Sequence, residues 1–188
     1  MPHEVAPRSV PKEVLVQVPE LRSLIRAIPD FPKPGILFRD ITPLIKNGRG
    51  FKAAVDMLAS PFRDQNIDYV VAIEARGYLV GAPLAYILGA GLIPVRKPGK
   101  LPYDTLKADY ALEYGTNTLE VHSDALGKGA RVLIADDLLA TGGTARATKN
   151  LVEQLGGHVV GFAFLIELTD LEGRRKLGDT PVTTLMNF

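Results

Sequence analysis

An α/β protein with a mostly parallel sheet flanked by helices is what this sequence predicts, and three observations predict it. Two apolar runs, residues 69–73 and 132–135, have the length and character of strands buried on both faces. Each passes into a short turn rich in small or charged residues and then into a helical pattern, so a strand–turn–helix unit occurs twice. The chain has 188 residues, 46% of them hydrophobic and 23% charged, which is the make-up of one domain with a sizeable core.

Composition also excludes. A formal net charge of +1 speaks against a dedicated nucleic-acid surface, which would be strongly basic. With no cysteine there is no disulfide framework, thiol nucleophile or thiolate metal site. No apolar run approaches the ~18 residues needed to span a membrane, and no basic-then-apolar signal opens the chain. The expected compartment is the cytoplasm. His3, His122 and His158 stand in unrelated contexts and suggest neither catalysis nor a metal site, and no internal repeat is visible.

In chain order, residues 1–19 carry Pro2, Pro7, Pro11 and Pro19 without periodicity and read as a loosely ordered leader, with a marginal extended piece at 14–18. The rest, 20–188, reads as one domain. Leu21, Leu24, Ile25 and Ile28 predict a short helix from Glu20 that Pro29 ends. Residues 31–44 hold three prolines and Gly35, which exclude a helix, so this is a rigid extended segment with Phe38 and Arg39 near its middle. It is either a proline-stiffened packing loop or an aromatic platform for a planar base. A helix is expected over 50–63, apolar at Phe51, Ala54, Val55, Leu58 and Ala59.

The strand at 69–73 leads through Glu74-Ala75-Arg76-Gly77 into a helix over 78–88 that closes on Gly89. A third strand is expected at 92–95. Arg96, Lys97 and Lys100 follow it, cations at the C-terminal edge where open α/β sheets bind ligands. Gly89 and Gly91 do not make a dinucleotide fingerprint, because Pro94 replaces the third glycine and the glycines follow a helix. Gly99-Lys100 is followed by leucine, so there is no Walker A loop. Alternation near Glu113 and at 118–121 suggests two strand pieces flanking a mobile loop, of the kind that shields a reactive intermediate from water.

The most informative stretch is 132–144. Its apolar strand is expected to end at Asp136 and Asp137, and Ala140, Thr141, Gly142, Gly143 and Thr144 then open a helix with Thr148, Leu151, Val152 and Leu155 on one face, stopped by Gly156 and Gly157. Glycine backbone N–H groups, threonine hydroxyls and a helix start form an anion nest. Two carboxylates beside that nest would repel a bare polyphosphate but accept hydrogen bonds from a diol. The chemistry favours a sugar phosphate, its phosphate at 140–144 and its hydroxyls on Asp136 and Asp137. A fourth apolar strand at 158–168, a short helix at 171–177 and a last strand piece at 182–185 complete the chain.

Residues 132–144 resemble the phosphoribosyl pyrophosphate motif of the type I phosphoribosyltransferases, and Asp-Asp-Leu-Leu-Ala-Thr-Gly-Gly-Thr resembles its form in the adenine phosphoribosyltransferase family. The likeness extends over about 20–188. It includes Phe-Pro-Lys-Pro-Gly-Ile-Leu-Phe-Arg-Asp-Ile-Thr-Pro-Leu at 31–44, Ala-Arg-Gly at 75–77 and Leu-Glu-Tyr-Gly at 112–115, all in family order. It implies the type I phosphoribosyltransferase fold, with a small hood (about 29–45) and a flexible catalytic loop. It implies that Phe38 stacks on adenine, that the Leu37 backbone meets the base edge, that Arg39 holds the hood and that Leu168 lies near the base. Arg76, Gly77, Arg96, Lys97 and Lys100 would bind pyrophosphate, and Glu113 would assist proton movement at the base. Mg²⁺ would arrive bound to the substrate, with no dedicated protein metal site. The residue matching Arg96 reaches a neighbouring subunit in the family, which implies a homodimer. Tyr78 departs from the family's usual phenylalanine. Two alternatives stay open: a transferase for xanthine, hypoxanthine or guanine, and a non-catalytic sensor of phosphoribosyl pyrophosphate.

Overall fold

The computed structural model describes residues 16–111 and 116–188. Helix α1 (Val18–Ser23) leads into a small antiparallel ribbon, β1 (Arg26–Ile28) against β2 (Phe38–Asp40), and then into α2 (Thr42–Lys46) and α3 (Gly48–Ala59). The central sheet is built from β3 (Tyr69–Ile73), followed by α4 (Gly77–Leu88) and β4 (Gly91–Val95). A long hairpin, β5 (Thr105–Ala111) with β6 (Thr116–His122), precedes β7 (Arg131–Leu139), α5 (Gly143–Gln154), β8 (His158–Glu167) and β9 (Val182–Asn187). The sheet order is β4-β3-β7-β8-β9 and every pairing in it is parallel, as the apolar runs predict.

Strand alternation divides the core between the two faces. Val70, Leu133, Ala135 and Leu165 join Leu58, Val80 and Leu84 on the side of α3 and α4. Val71, Val132, Ile134, Phe162 and Phe164 join Leu151 and Val152 of α5, with Leu119 and Val121 of β6, on the other. Burial of each of the larger side chains among these contributes roughly 1.5–3 kcal/mol, which is why runs with little helix periodicity settle as central strands.

The chain winds from β3 outward to β4 and then returns to place β7 on the opposite flank of β3. The strand order therefore reverses between β3 and β7, and the crevice at their C-terminal ends is the place where such sheets take ligands.

Several local expectations give way to non-local pairing. The helix expected from Glu20 to Ile28 stops at Ser23, because Arg26, Ala27 and Ile28 pair with Asp40, Arg39 and Phe38. It also starts earlier: Val18 opens it and Val16 is buried, so the last leader residues belong to the fold, while residues 1–15 lie outside the described part. The extended 31–44 segment ends in a helix after all. Pro43 sits in the first turn of α2, where its missing N–H costs nothing, and Asp40 Oδ1 accepts the Thr42 N–H at 2.8 Å. The helix expected over 50–63 begins at Gly48 under an Asn47 cap (Gly50 N–H to Oδ1, 2.9 Å) and yields at Pro61 to a 3₁₀ turn, Ser60–Phe62. β7 does not end at the carboxylates. It runs on to Leu139 because β8 continues beside it, Leu138 opposite Ile166 and Leu139 opposite Glu167. The helix expected over 171–177 is two 3₁₀ turns, Thr169–Leu171 and Gly173–Leu177, broken at Glu172 with φ +50°.

Candidate active site

Three groups of side chains meet at the C-terminal ends of β3, β4 and β7. The first joins two strands across the reversal point. Arg76 sits at the start of α4, and its Nε pairs with Asp137 Oδ2 of β7 at 2.8 Å. The Arg76 guanidinium carbon also lies 5.0 Å from the centroid of the Phe38 ring, which meets Phe31 edge-on at 5.1 Å. One cation thus links the aromatic hood, the turn after β3 and the carboxylate pair. Gly77 is needed here for approach: a Cβ on it would stand 2.7 Å from Asp136 Oδ1 and 3.2 Å from the Ala135 carbonyl. Tyr78, the departure noted above, donates its hydroxyl to the Val95 carbonyl at 3.2 Å and fastens α4 to β4.

Asp136 and Asp137 behave as a pair. Burial first, then the neighbouring Asp137, push the Asp136 carboxyl well above the usual carboxylate range; its Oδ1 accepts the Asp137 N–H at 2.8 Å. Burial also raises Asp137, which is 4% exposed, and the Arg76 charge opposes that rise. These acids are poised to gain from hydrogen-bond donors or positive charge brought by a ligand.

The second group is the phosphate nest. Gly142, at φ +77°, turns the chain ahead of α5, and residues 140–145 line a cavity of about 80 Å³ together with Asp136, Leu138, Leu139 and Phe164. The loop rests on a backbone that sequence reading missed: a Cβ on Gly142 would lie 2.3 Å from the Gly173 carbonyl, and one on Gly173 would lie 2.2 Å from the Ala140 carbonyl. Gly173 is held in place by its neighbour Arg174, whose fork grips Glu167 at the end of β8 (Nε at 2.7 and 2.9 Å, Nη2 at 2.7 Å).

The third group gathers the cations after β4 around Glu74, another residue the sequence did not single out. Glu74 Oε2 accepts from Arg96 Nε and from the Lys97 N–H, each at 3.2 Å, and Oε1 accepts from Lys100 Nζ. Glu120 of β6 completes the arrangement. It is 2% exposed and accepts the N–H groups of Lys100 at 3.2 Å and Leu101 at 3.3 Å, while its backbone bridges Arg96. Burial opposes the charge on Glu74, yet the donors from Lys100, Lys97 and Arg96 outweigh it and hold its pKa down at about 2. A depressed carboxyl stabilises the fold fully above its unfolded value of 4.5, and that contribution fades as pH falls toward 2. The partner cations are partly exposed, so solvent screens much of this: Glu74→Gln is expected to be less stable than the parent at neutral pH by about 1 kcal/mol, the gap closing below pH 4.5; urea titrations at pH 7 and pH 3 read it.

The other expected site residues fall around this crevice. Leu37 is 48% exposed beside Phe38. Arg39 lies over the Phe188 ring at 4.3 Å, and the Leu168 N–H donates to the Leu139 carbonyl at 2.9 Å. Glu113 lies outside the described residues. Among the described residues no group of three or more His, Asp, Glu or Cys side chains could hold a metal ion, and no helix is long and apolar enough to cross a membrane.

Comparison with known proteins fits this geometry. A family profile described as phosphoribosyl transferase domain matches residues 44–185. An adenine phosphoribosyltransferase of Acaryochloris marina is 58% identical over 169 residues, 90% of this chain and 99% of that protein. The crystal structure of adenine phosphoribosyltransferase from Thermoanaerobacter pseudethanolicus superposes with a TM-score of 0.89 at 53% identity, covering 92% of this chain and all (100%) of the other. That of Saccharomyces cerevisiae, complexed with an imino-altritol bisphosphate and adenine, gives 0.84 at 43% identity over 89% and 97% of the two chains.

Proposed function

The chain belongs to the phosphoribosyltransferase family, and within it to the adenine phosphoribosyltransferases, from which we infer that it converts adenine and 5-phosphoribosyl 1-pyrophosphate to AMP and pyrophosphate, a purine-salvage reaction. The observation that carries the reading onto these residues is Arg76, held between the Phe38 ring and Asp137, which brings a base platform, a leaving-group cation and a diol acceptor to one crevice.

The reaction replaces pyrophosphate by a ring nitrogen at the anomeric carbon, with positive charge developing on the ribose as the old bond breaks. The 140–144 nest holds the 5-phosphate, while Asp136 and Asp137 accept the ribose hydroxyls and sit beside the developing charge. Arg76, with the Gly77 N–H, and Arg96, Lys97 and Lys100 receive the leaving pyrophosphate. Nε of Arg76 is engaged by Asp137, but a guanidinium carries four further N–H donors. Phe38 stacks on adenine, the Leu37 backbone reads its edge, and Leu168 closes the far side. A divalent cation fits this donor set only as a guest on the substrate's own oxygens, with Asp136 and Asp137 adding carboxylates near it. When bound, Mg²⁺ neutralises charge on the departing pyrophosphate.

Glu113, which follows β5 in the sequence, handles the proton of the purine imidazole edge. Glu113→Gln is expected to lower kcat at least tenfold with adenine KM nearly unchanged, read from initial rates; a change confined to KM would leave Glu113 a binding residue. A homodimer in the cytoplasm is the working form. Leu79 (45% exposed) and Tyr86 (88%) stand seven residues apart on α4, and Leu92 (44%) is exposed on the edge strand β4, apolar side chains that a second copy would cover. Pyrophosphate release with adenine, hypoxanthine, guanine and xanthine in competition tests the assignment: turnover of adenine alone is expected, and preference for an oxopurine would overturn it.

A further inference from the structure

The β1–β2 ribbon, which carries Phe38 and Arg39, has no core of its own. None of the six residues of β1 and β2 is buried, and two strands alone are marginal in water. What holds its outer face lies at the far end of the sequence. Two guanidinium groups lie over the Phe188 ring, Arg22 of α1 at 3.9 Å and Arg39 of β2 at 4.3 Å from its centroid. Phe188 is itself pinned to the sheet: its N–H donates to the Glu167 carbonyl at 2.9 Å, and its carbonyl accepts the Thr169 N–H at 3.0 Å and the Thr169 hydroxyl at 3.2 Å. Arg22 also donates to the Asn187 carbonyl.

We propose that Phe188 is a positioning residue for the base: a ring clamped by Arg22 and Arg39 that fixes the hood to the ligand edge of the sheet. The proposal rests on the reading of Phe38 as the base platform. Neighbouring residues in a strand face opposite ways, so Arg39 held on Phe188 directs Phe38 to the other face, where Arg76 meets it. The path back to the sugar-phosphate site is short. Phe188 bonds Glu167 and Thr169, between them Leu168 bonds Leu139, and Leu139 ends the strand that carries Asp136 and Asp137. Phe188 thus sets the separation between the base platform and the ribose clamp without touching either substrate.

Phe188→Leu removes the ring and keeps an apolar side chain. It is expected to raise KM for adenine about tenfold, to leave KM for phosphoribosyl pyrophosphate within about twofold, and to speed amide exchange over residues 26–40 while β3 and β7 stay protected. Phe188→Tyr retains the ring face and is expected to restore parental values. Unchanged adenine KM and hood exchange in Phe188→Leu overturn the proposal, as does an equal rise in both KM values or a failure of tyrosine to rescue. Should Phe188→Leu not fold, Arg39→Gln is expected to show the same split, and its absence there overturns the proposal equally. The parent protein, assayed alongside, tests the reaction itself; the exchange readout tests the clamp whatever the substrate proves to be.

Discussion

Asp137→Asn is expected to fold normally and to lose about a hundred- to thousandfold in kcat/KM, chiefly through kcat. Asp137 is 4% exposed and pairs with Arg76 at 2.8 Å across the point where the strand order reverses. Asparagine keeps the shape but removes the charge that faces the ribose as it becomes cationic. Loss of one preorganised group aimed at developing charge costs about 10²–10³ in rate. The Arg76 side chain is 40% exposed, so losing its partner leaves no cation stranded in the core, and the stability change should stay near 1 kcal/mol. Asp136 should become a stronger acid in the variant, because the like charge beside it is gone. Steady-state rates with both substrates varied, together with a thermal midpoint, read all of this; kcat/KM within threefold of the parent would remove Asp137 from the mechanism.

What the sequence revealed of this crevice, and what it hid, follows from how local each signal is. The 140–144 nest was legible because its glycines, threonines and helix start are contiguous. The strands at 69–73 and 132–135 were legible because an apolar run bounded by turns has few other folds open to it. The extent of β7 was not: it passes its carboxylates because Ile166 and Glu167, almost thirty residues on, supply pairing partners. The segment at 20–28 gives way for the same reason, since helical spacing at Leu21, Leu24, Ile25 and Ile28 is overruled by a partner strand at Phe38–Asp40. Glu120 lies between Leu119 and Val121 and reads as the exposed face of a strand, yet the turn carrying Lys100 and Leu101 covers it. Glu74 offered one clue, its place at the end of a buried strand just before Arg76. Gly173 offered none, because its need for a missing side chain is set by a loop thirty residues earlier.

That hidden contact leads to a second large effect. Gly173→Ala places a methyl group 2.2 Å from the Ala140 carbonyl and 3.1 Å from the Gly142 N–H. The first distance is far inside van der Waals contact, and both neighbours are backbone, so a side-chain rotation cannot relieve it. Gly173 cannot yield easily either, since Arg174 beside it is forked to Glu167. The loop must therefore shift, and a shift of about 1 Å is enough to misalign a preorganised donor set, at a cost of about a hundredfold. Because the clash lies directly under the phosphate nest, while the hood reaches this region indirectly, through backbone hydrogen bonds of Phe188 to Glu167 and Thr169, the loss should fall mainly on one substrate. KM for phosphoribosyl pyrophosphate is expected to rise about thirty- to a hundredfold while KM for adenine changes less than threefold. Gly48→Ala, at a position with nothing within 4 Å of the new methyl, serves as the control and should match the parent in both. Equal KM values for phosphoribosyl pyrophosphate in Gly173→Ala and the parent would mean that the 140–144 loop does not carry the phosphate.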